Sequence, residues 1–353
     1  MKQTLVLKVN AENPEPAKIQ TAAQIIQNGG LVAFPTETVY GLGADALNPK
    51  AILALFEAKK RPLDNPPIVH VASISEVYPL VTGVPAKAEL LMKQFWPGPL
   101  TLIFKRSKLV PSVTTAGLDT VAIRMPKHKV ALELIKQSRR PIAAPSANLA
   151  GKPSPTTASH VYEDLNGRID AIIDGGDTNI GVESTVLDLS VEPSMLLRPG
   201  GTPFEALKSV LGDVKLHPFV QAEQELPLQQ IRSPGMKHKH YAPRTEVILV
   251  EGSVQAVIGK VKELAEAYKR KGAKVGILAT DETQSAYKAS IIRSLGSRFN
   301  LASVAQSLFR LLREVDAENV DVIIAEGVPS EGLGLAVMNR LRKASGYHII
   351  KVD

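Results

Sequence analysis

The stretch LVAFPTETVYGLGAD (31–45) joins a short apolar run to a loop of hydroxyl groups and glycines. LVAF (31–34) has the length and composition of a buried β-strand. Similar apolar runs lie at 68–71, 100–104, 121–123 and 185–189, and helical patterns lie at about 15–28, 50–60, 84–95, 128–138 and 156–165. Their irregular spacing predicts that residues 1–201 form an α/β domain with a mixed, twisted sheet.

Proline marks a change of organisation along the chain. Of the 25 prolines, only Pro329 follows residue 243. Residues 202–243 begin with a helical segment, TPFEALKSVLG, and continue as a polar linker that contains proline and has no periodicity. From residue 244 strands and helices alternate regularly, which predicts a smaller Rossmann-like domain with a parallel sheet over 244–353.

The composition is that of a folded protein, since 44% of the 353 residues are hydrophobic and 22% are charged. Cysteine is absent, which excludes disulfide scaffolds, zinc–thiolate sites and thiol nucleophiles. We find no signal peptide and no apolar run near the roughly 18 residues of a membrane span, and we expect a cytoplasmic protein. The net charge of +7 is dispersed, which favours at most weak contact with nucleic acid.

Two arginines end apolar strands, and each has a proline within the next two residues: Arg124 in TVAIRMP and Arg198 in LLRP. A buried cation is costly unless an anion compensates it. With Lys59 and Arg61 on a nearby loop, these arginines are candidates to bind a polyanion such as a nucleotide phosphate. Internal salt bridges are the alternative interpretation.

Three other patterns have simpler explanations. GLGADA (41–46) matches a dinucleotide-binding fingerprint, but PTETVY separates it from the strand, so we expect a tight backbone turn. His238 and His240 have no carboxylate or further histidine nearby in the sequence, and no metal site is predicted there. His70 lies inside an apolar strand, where either a core hydrogen bond or a ligand must satisfy its ring.

Seven segments together resemble the YrdC-like family: FPTETVYGLGAD (34–45), KKRPLDNPPIVHV (59–71), FWPGPLTLIF (95–104), TVAIRMP (120–126), APSANLAGKPSPT (144–156), ESTVLDL (183–189) and LLRPG (196–200). The linker also contains HYAP (240–243), and the C-terminal domain ends with EGLGLAVMNRLRKAS (331–345). With these segments the chain is similar to the two-domain threonylcarbamoyl-AMP synthases over nearly its whole length.

The resemblance implies a nucleotidyltransferase that makes threonylcarbamoyl-AMP and pyrophosphate from L-threonine, bicarbonate and ATP with Mg²⁺. A downstream transferase would use this product to modify tRNA. The resemblance implies an ATP site of Lys59, Arg61, Asn65, Thr120, Ser146, Asn148, Ser154, Arg198 and Tyr241. It implies a threonine site of Thr38, His70, Arg124, Ala144 and Ser184. Lys59, Arg61 and Arg124 would be catalytic, no residue would bind metal, and the linker with Tyr241 would act as a lid.

Three other functions are compatible with parts of the sequence. One is a double-stranded-RNA or tRNA-binding module without this catalysis. Another is a carbamoyl-transfer enzyme of the hydrogenase-maturation type, which the lack of cysteine for zinc-finger modules disfavours. The third is a dinucleotide enzyme, whose cofactor binding would depend on Gly41 and Gly43.

Overall fold

The structure is a computed structural model that describes residues 3–224 and 241–353. The described chain divides into two compact units. The first contains residues 3–150 and 154–220, and the second contains residues 151–153, 221–224 and 241–353. No helix in these residues is long and apolar enough to cross a membrane.

The helices of the first unit confirm the predicted helical patterns and are α1 (Pro16–Gln27), α2 (Pro49–Lys59), α3 (Ala86–Phe95), α4 (Lys129–Ser138), α5 (Ala158–Leu165) and α6 (Phe204–Leu211). Its strands are β1 (Leu5–Lys8), β2 (Val32–Phe34), β3 (Gly41–Asp45), β4 (Ile68–His70), β5 (Leu100–Lys105), β6 (Thr120–Arg124), β7 (Ile142–Ala144), β8 (Ala171–Asp174), β9 (Thr185–Asp188), β10 (Ser194–Arg198) and β11 (Val214–Leu216).

These strands form one mixed sheet in the order β1-β8-β2-β3-β7-β4-β6-β5-β9-β10-β11. The sheet contains parallel pairs, such as β4 with β6, and antiparallel pairs, such as β5 with β6. The mixed sheet confirms the predicted architecture. Helices α1 and α4 cover it over a buried core that includes Ile19, Phe34 and Leu134.

Strand β3 corrects the interpretation of GLGADA. Its residues are extended and pair with β2, with Gly43 opposite Val32, so the segment is neither a tight turn nor a phosphate-binding loop. A Cβ atom on Gly43 would lie 2.8 Å from Ile142 Cγ2 and 2.9 Å from Phe34 Cε1. Glycine is needed here because β3 packs closely against neighbouring side chains.

Helix α2 places the basic residues next to the sheet. Asn48 caps its N-terminus by accepting hydrogen bonds from the backbone N–H groups of Lys50 and Ala51. Lys60, with φ 51°, adopts the left-handed conformation and ends the helix. The chain therefore turns away between Lys59 and Arg61.

Residues 202–224 contain more regular structure than the linker predicted for 202–243. Helix α6 is followed by β11, which pairs in parallel with β10, and by a 3₁₀ turn at Pro218–Val220. The first unit therefore extends beyond residue 201. Most of the rest of the predicted linker, including His238 and His240, lies outside the described residues.

The second unit has helices α7 (Val254–Arg270), α8 (Leu301–Ala317) and α9 (Gly334–Ala344), and strands β12 (Glu246–Gly252), β13 (Val275–Ala279), β14 (Ile291–Ser294), β15 (Val322–Glu326) and β16 (Ile349–Val352). All pairings are parallel, in the order β14-β13-β15-β12-β16. The predicted Rossmann-like alternation is thus confirmed.

A buried polar group lies where β13 and β15 end. Glu326 is fully buried and accepts hydrogen bonds from Thr280 N–H at 3.0 Å, Thr283 Oγ1 at 2.7 Å and Tyr287 Oη. Burial and the Glu326 charge raise the pKa of Tyr287. Its phenol therefore stays protonated and donates to the carboxylate.

Candidate functional site

The loop between β2 and β3 carries the first candidate residues. Thr36 Oγ1 donates to the carbonyl of Val39 at 2.7 Å and accepts from the N–H groups of Thr38 and Val39. Thr36 therefore stabilises the turn, as threonine hydroxyls commonly do. Thr38, two residues further on, is fully buried, and its hydroxyl accepts a hydrogen bond from Arg124 Nη1 at 2.9 Å. The structure thus brings together two residues predicted to bind threonine.

Arg124 is the charged centre of this site. Its side chain is only 4% exposed, its Nε donates to the carbonyl of Gly98 at 3.2 Å, and its Nη2 lies 2.6 Å from Glu37 Oε2. This ion pair is the internal salt bridge that was the alternative interpretation for a strand-end arginine. It is an imperfect one, because Nη2 and both Glu37 carboxylate oxygens lack a hydrogen-bond partner of good geometry. A buried guanidinium of this kind suits a carboxylate ligand.

Arg198 and Ser184 lie together at the start of β9. Arg198 Nε and Nη2 donate to the carbonyl of Ser184 at 3.1 and 2.9 Å, and Nη2 also lies 3.1 Å from Ser184 Oγ. Thr101 Oγ1 is 2.7 Å from the same hydroxyl. These contacts hold Ser184, which is predicted to bind threonine, next to Arg198, which is predicted to bind ATP.

Lys59 holds the loop that follows β7. It is 1% exposed, and its Nζ donates to the backbone carbonyls of Ser146 and Asn148. Ser146 Oγ in turn donates to Asn148 Oδ1 at 2.6 Å. Three predicted ATP residues therefore form one cluster, in which small polar side chains leave the backbone accessible to a ligand.

Arg61 and Asn65 form a second part of the predicted nucleotide site. Arg61 Nε donates to the carbonyl of Asn65 at 2.9 Å, which fixes the proline-rich turn after α2. Asn65 is 1% exposed, and its Oδ1 lacks a hydrogen-bond partner. Because an unsatisfied buried acceptor is costly, this oxygen suits a donor group on a ligand.

Two further predicted ATP residues make separate contacts. Ser154 Oγ donates to Glu183 Oε1 at 3.1 Å. Thr120 begins β6, at the opposite end of the strand from Arg124. It borders a cavity of about 430 Å³ whose lining includes Lys105, Asp119, Asp188 and Ser190.

His70 is a neutral core histidine in this structure. It is 3% exposed, its Nδ1 lies 3.1 Å from the carbonyl of Ile68, and its ring meets Phe34 edge-on. Burial, with a smaller contribution from the nearby Arg124 charge, lowers the pKa of His70 to about 3. Ala144, the other predicted threonine residue of this region, ends β7 opposite Ile68. Their contact with threonine stays a prediction.

Two ring contacts of Tyr241 lie within the second unit. Its ring is 3% exposed, stacks on Phe309 with the centroids 5.2 Å apart, and has Arg340 Cζ 5.4 Å from its centroid. Both contacts are favourable for an aromatic ring. Nucleotide binding by Tyr241 stays a prediction.

The sequence motifs did not single out three polar residues of the first unit. Glu37 pairs with Arg124, and Thr101 contacts Ser184. His128 precedes α4, and its Nδ1 is buried without a hydrogen-bond partner. Burial lowers the pKa of His128, against the opposing effect of the Glu37 charge. The carboxylate between two threonines in PTET was a visible signal for Glu37, whereas nothing local marked Thr101 or His128.

No three His, Cys, Asp or Glu side chains come together as a possible metal site in residues 3–224 and 241–353.

Comparison with known proteins identifies the class of α/β protein that has this fold and this buried arginine. Residues 24–200 match the Sua5, YciO and YrdC family, described as "telomere recombination", and residues 203–346 match the "threonylcarbamoyl-AMP synthase, C-terminal domain" family. The crystal structure of Escherichia coli YciO covers 57% of this chain and 97% of its own length, with 26% identity and a TM-score of 0.52. The first unit is therefore a YrdC-like domain.

Relatives that are similar over both units identify a more specific family within this class. Threonylcarbamoyl-AMP synthase of Pyrococcus abyssi is 53% identical over 99% of this chain and all of the relative, and the Bacillus subtilis enzyme is 50% identical over 95% and 94%. The crystal structure of P. abyssi Sua5 with L-threonine covers 99% of this chain and all of its own, with a TM-score of 0.94. The chain belongs to the threonylcarbamoyl-AMP synthase family of enzymes, in its two-domain form.

Proposed function

We propose that the protein converts L-threonine, bicarbonate and ATP into threonylcarbamoyl-AMP and pyrophosphate. The observation that carries this proposal is the buried guanidinium of Arg124, which contacts the hydroxyl of Thr38 and the carboxylate of Glu37. Such a group suits the carboxylate of an amino acid. Similarity over the whole chain to an enzyme crystallised with L-threonine supports this choice of substrate.

The reaction requires a carbamate oxygen to attack the α-phosphate of ATP. Because both reactants are anions, catalysis depends on charge neutralisation and alignment more than on a protein nucleophile. In the proposed arrangement Lys59, Arg61 and Arg198 surround the phosphates. The contacts of Lys59 and Arg198 with backbone carbonyls support a second task, which is to fix the surrounding loops.

All residues proposed for the threonine site, and all but Tyr241 of those proposed for the nucleotide site, lie in the first unit. Thr38, Arg124 and Ser184 would hold the amino acid, together with His70 and the backbone of Ala144. Asn65, Ser146 and Asn148 would contact the nucleotide, as would Thr120, Ser154 and Tyr241. The unpaired Oδ1 of Asn65 supports a donor contact from the ligand.

Other parts of the proposal concern ions and partners. Mg²⁺ would enter as the ATP complex, without assigned protein ligands. A downstream threonylcarbamoyl transferase would take up the product for tRNA modification in the cytoplasm, with at most weak direct contact to tRNA. Tyr241 and the linker would cover the nucleotide.

The RNA-binding alternative is less favoured, because the relatives that cover the whole chain are named as enzymes.

Pyrophosphate release tests the proposed reaction. The protein would be given ATP and Mg²⁺, with L-threonine and bicarbonate added separately and together, and serine in place of threonine as a comparison. We expect release only when both co-substrates are present. Release with threonine alone would indicate ordinary amino-acid activation, and no release, combined with RNA binding that weakens steeply with salt, would support the RNA-binding alternative.

A further inference from the structure

Several buried polar atoms around Glu37 lack hydrogen-bond partners. They are both carboxylate oxygens of Glu37, Nη2 of Arg124, Nδ1 of His128 and Oγ1 of Thr178. Native proteins satisfy nearly all of their buried polar groups, so each exception needs an explanation. A polar ligand that binds between such groups provides one.

The backbone brings these groups into one region of the first unit. Ile180 N–H donates to the carbonyl of Glu37 at 2.9 Å, and Gly181 N–H donates to the carbonyl of Thr38 at 3.1 Å. The segment that carries Thr178 therefore runs beside the loop between β2 and β3. Arg124 reaches the same loop from β6, and the charge of Glu37 also acts on His128.

Glu37 is not required to hold Arg124 in place. Nε of Arg124 is bonded to the carbonyl of Gly98 and Nη1 is bonded to Thr38, so two other contacts already orient the guanidinium. The 2.6 Å contact between Nη2 and Glu37 Oε2 supplies charge compensation without a hydrogen bond of good geometry. Glu37 thus keeps acceptor capacity for a ligand.

Adjacent buried charges of opposite sign match the head group of an α-amino acid. A free amino acid carries a carboxylate and an ammonium on the same carbon, and these suit the guanidinium of Arg124 and the carboxylate of Glu37 respectively. Carbamate formation also requires that the ammonium first lose a proton, because only the neutral amine has a lone pair. A carboxylate beside the ammonium can accept that proton.

We propose that Glu37 binds the α-ammonium of threonine and is the base that deprotonates it for carbamate formation. This inference rests on the proposed function. An N–H bond of the ammonium breaks and its proton moves to the Glu37 carboxylate. The nitrogen lone pair then forms the N–C bond to bicarbonate carbon. The second nitrogen proton and the hydroxyl lost from carbon leave as water, and Glu37 later returns its proton to solvent.

The test compares the parent with Glu37→Gln, which keeps the shape of the side chain and removes the base. Pyrophosphate release would be measured with threonine and bicarbonate from pH 7 to 9. Without a protein base, the variant must use the small fraction of threonine whose amine is already neutral in solution. That fraction rises about tenfold per pH unit below the pKa of the amine. We therefore expect the parent-to-variant rate ratio to fall about tenfold per pH unit until the pH reaches that pKa, and to level off there.

The reverse reaction separates a base from a structural role. ATP formation from pyrophosphate and threonylcarbamoyl-AMP made by the parent requires no deprotonation of an ammonium, so Glu37→Gln should keep most of this rate. Glu37→Asp retains a carboxylate and should keep the parent's pH profile at a reduced rate. Glu133→Gln, on the exposed face of α4 where Glu133 pairs with Lys136, is the matched control.

The possible outcomes are distinct. A rate ratio that does not change with pH, together with equal losses of the forward and reverse rates in Glu37→Gln, would show that Glu37 only supports Arg124 and would overturn the inference. Failure of the parent itself to release pyrophosphate would instead contradict the proposed function. Thermal unfolding and circular dichroism of each variant identify loss of folding, in which case Glu37→Asp decides the question through its pH profile.

Discussion

At the scale of single residues, burial determines what each charged or titratable side chain can do. Arg124 is compensated by one carboxylate and fixed by two further contacts, so a substrate meets it already oriented. His70 remains neutral because its environment disfavours a second proton. The ring of His70 is therefore a neutral part of the sheet.

Replacement of Arg124 by alanine should weaken the use of threonine. Loss of a desolvated cation that faces a carboxylate costs roughly 2–5 kcal/mol in binding. The KM for threonine in the pyrophosphate assay should rise accordingly, while Arg168→Ala, at an exposed position of the same unit, should behave like the parent. An unchanged dependence on threonine would remove Arg124 from the amino-acid site.

His70 should make the protein less stable in acid. Its pKa is about 3 in the folded protein and near 6.5 in the unfolded chain, so the unfolded chain binds more protons between these values. The free energy of unfolding should therefore fall as the pH drops from 6.5 towards 3, by up to about 1.4 kcal/mol per pH unit from this group. Urea unfolding of the parent and His70→Gln at several pH values measures the difference. Equal slopes would contradict it.

At the scale of elements, the close packing of neighbouring strands explains why β3 contains glycines. The local sequence pattern alone is also compatible with a phosphate-binding loop. GLGAD has glycines at spacings that fit a phosphate-binding loop, yet it forms β3. The spacing cannot distinguish the two cases, because in both glycine permits a close approach, either to a ligand or to another side chain. The close packing of β3 involves Phe34 and also Ile142, which lies far along the chain and therefore outside any local pattern.

Alanine at Gly43 should destabilise the protein more than alanine at Gly41. A Cβ at Gly43 would meet two buried side chains below 3.0 Å, whereas at Gly41 the nearest atom, Ala144 Cβ, is 3.3 Å away. Overpacking of this kind costs about 1–3 kcal/mol. Urea unfolding of the two variants gives the comparison. A larger loss for Gly41→Ala would show that the close packing of β3 is not what requires glycine.

The helices and most strands with an apolar run could be predicted from the sequence, including β2 and β4 with three residues each, whereas three other short strands and the contacts between distant residues could not. Strands β1, β8 and β11 have three or four residues each, too few to show a period. For the site, Thr38 and Arg124 were both identified, and the structure places them in contact. Glu37 was not predicted as a site residue, because what distinguishes it is its ion pair with Arg124, which is 87 positions away in the chain.

At the scale of the whole molecule, each unit has its own buried polar centre. In the first unit it is the ion pair of Arg124 and Glu37, which we propose binds threonine. In the second, Glu326 ends β15 and accepts hydrogen bonds from the segment that follows β13, at the carboxyl edge of a parallel sheet. The satisfied contacts of Glu326 indicate a role in stability.

Replacement of Glu326 by alanine should destabilise the second unit. It would remove the acceptor of the buried Tyr287 hydroxyl, at about 1–3 kcal/mol for an unsatisfied group, and would leave Thr280 and Thr283 with only the weaker hydrogen bonds that they make to each other. Hydrogen–deuterium exchange should rise in β13, β15 and α9 and stay unchanged in β2 to β7. Unaltered exchange in the second unit would mean that water or other groups replace the carboxylate.

The pairing order of the large sheet has a consequence for synthesis on the ribosome. Strand β1 pairs with β8, and the hydroxyl of Thr4 donates to the carbonyl of Ile169, 165 positions away. The first strand made must therefore wait for about half of the chain to emerge before it finds its partner, during which Leu5 and Val6 remain open to other strands. Late closure of this kind slows folding and increases exposure to aggregation. We expect nascent chains that end before β8 to depend on chaperones, and this dependence to end once residues 171–174 have left the exit tunnel.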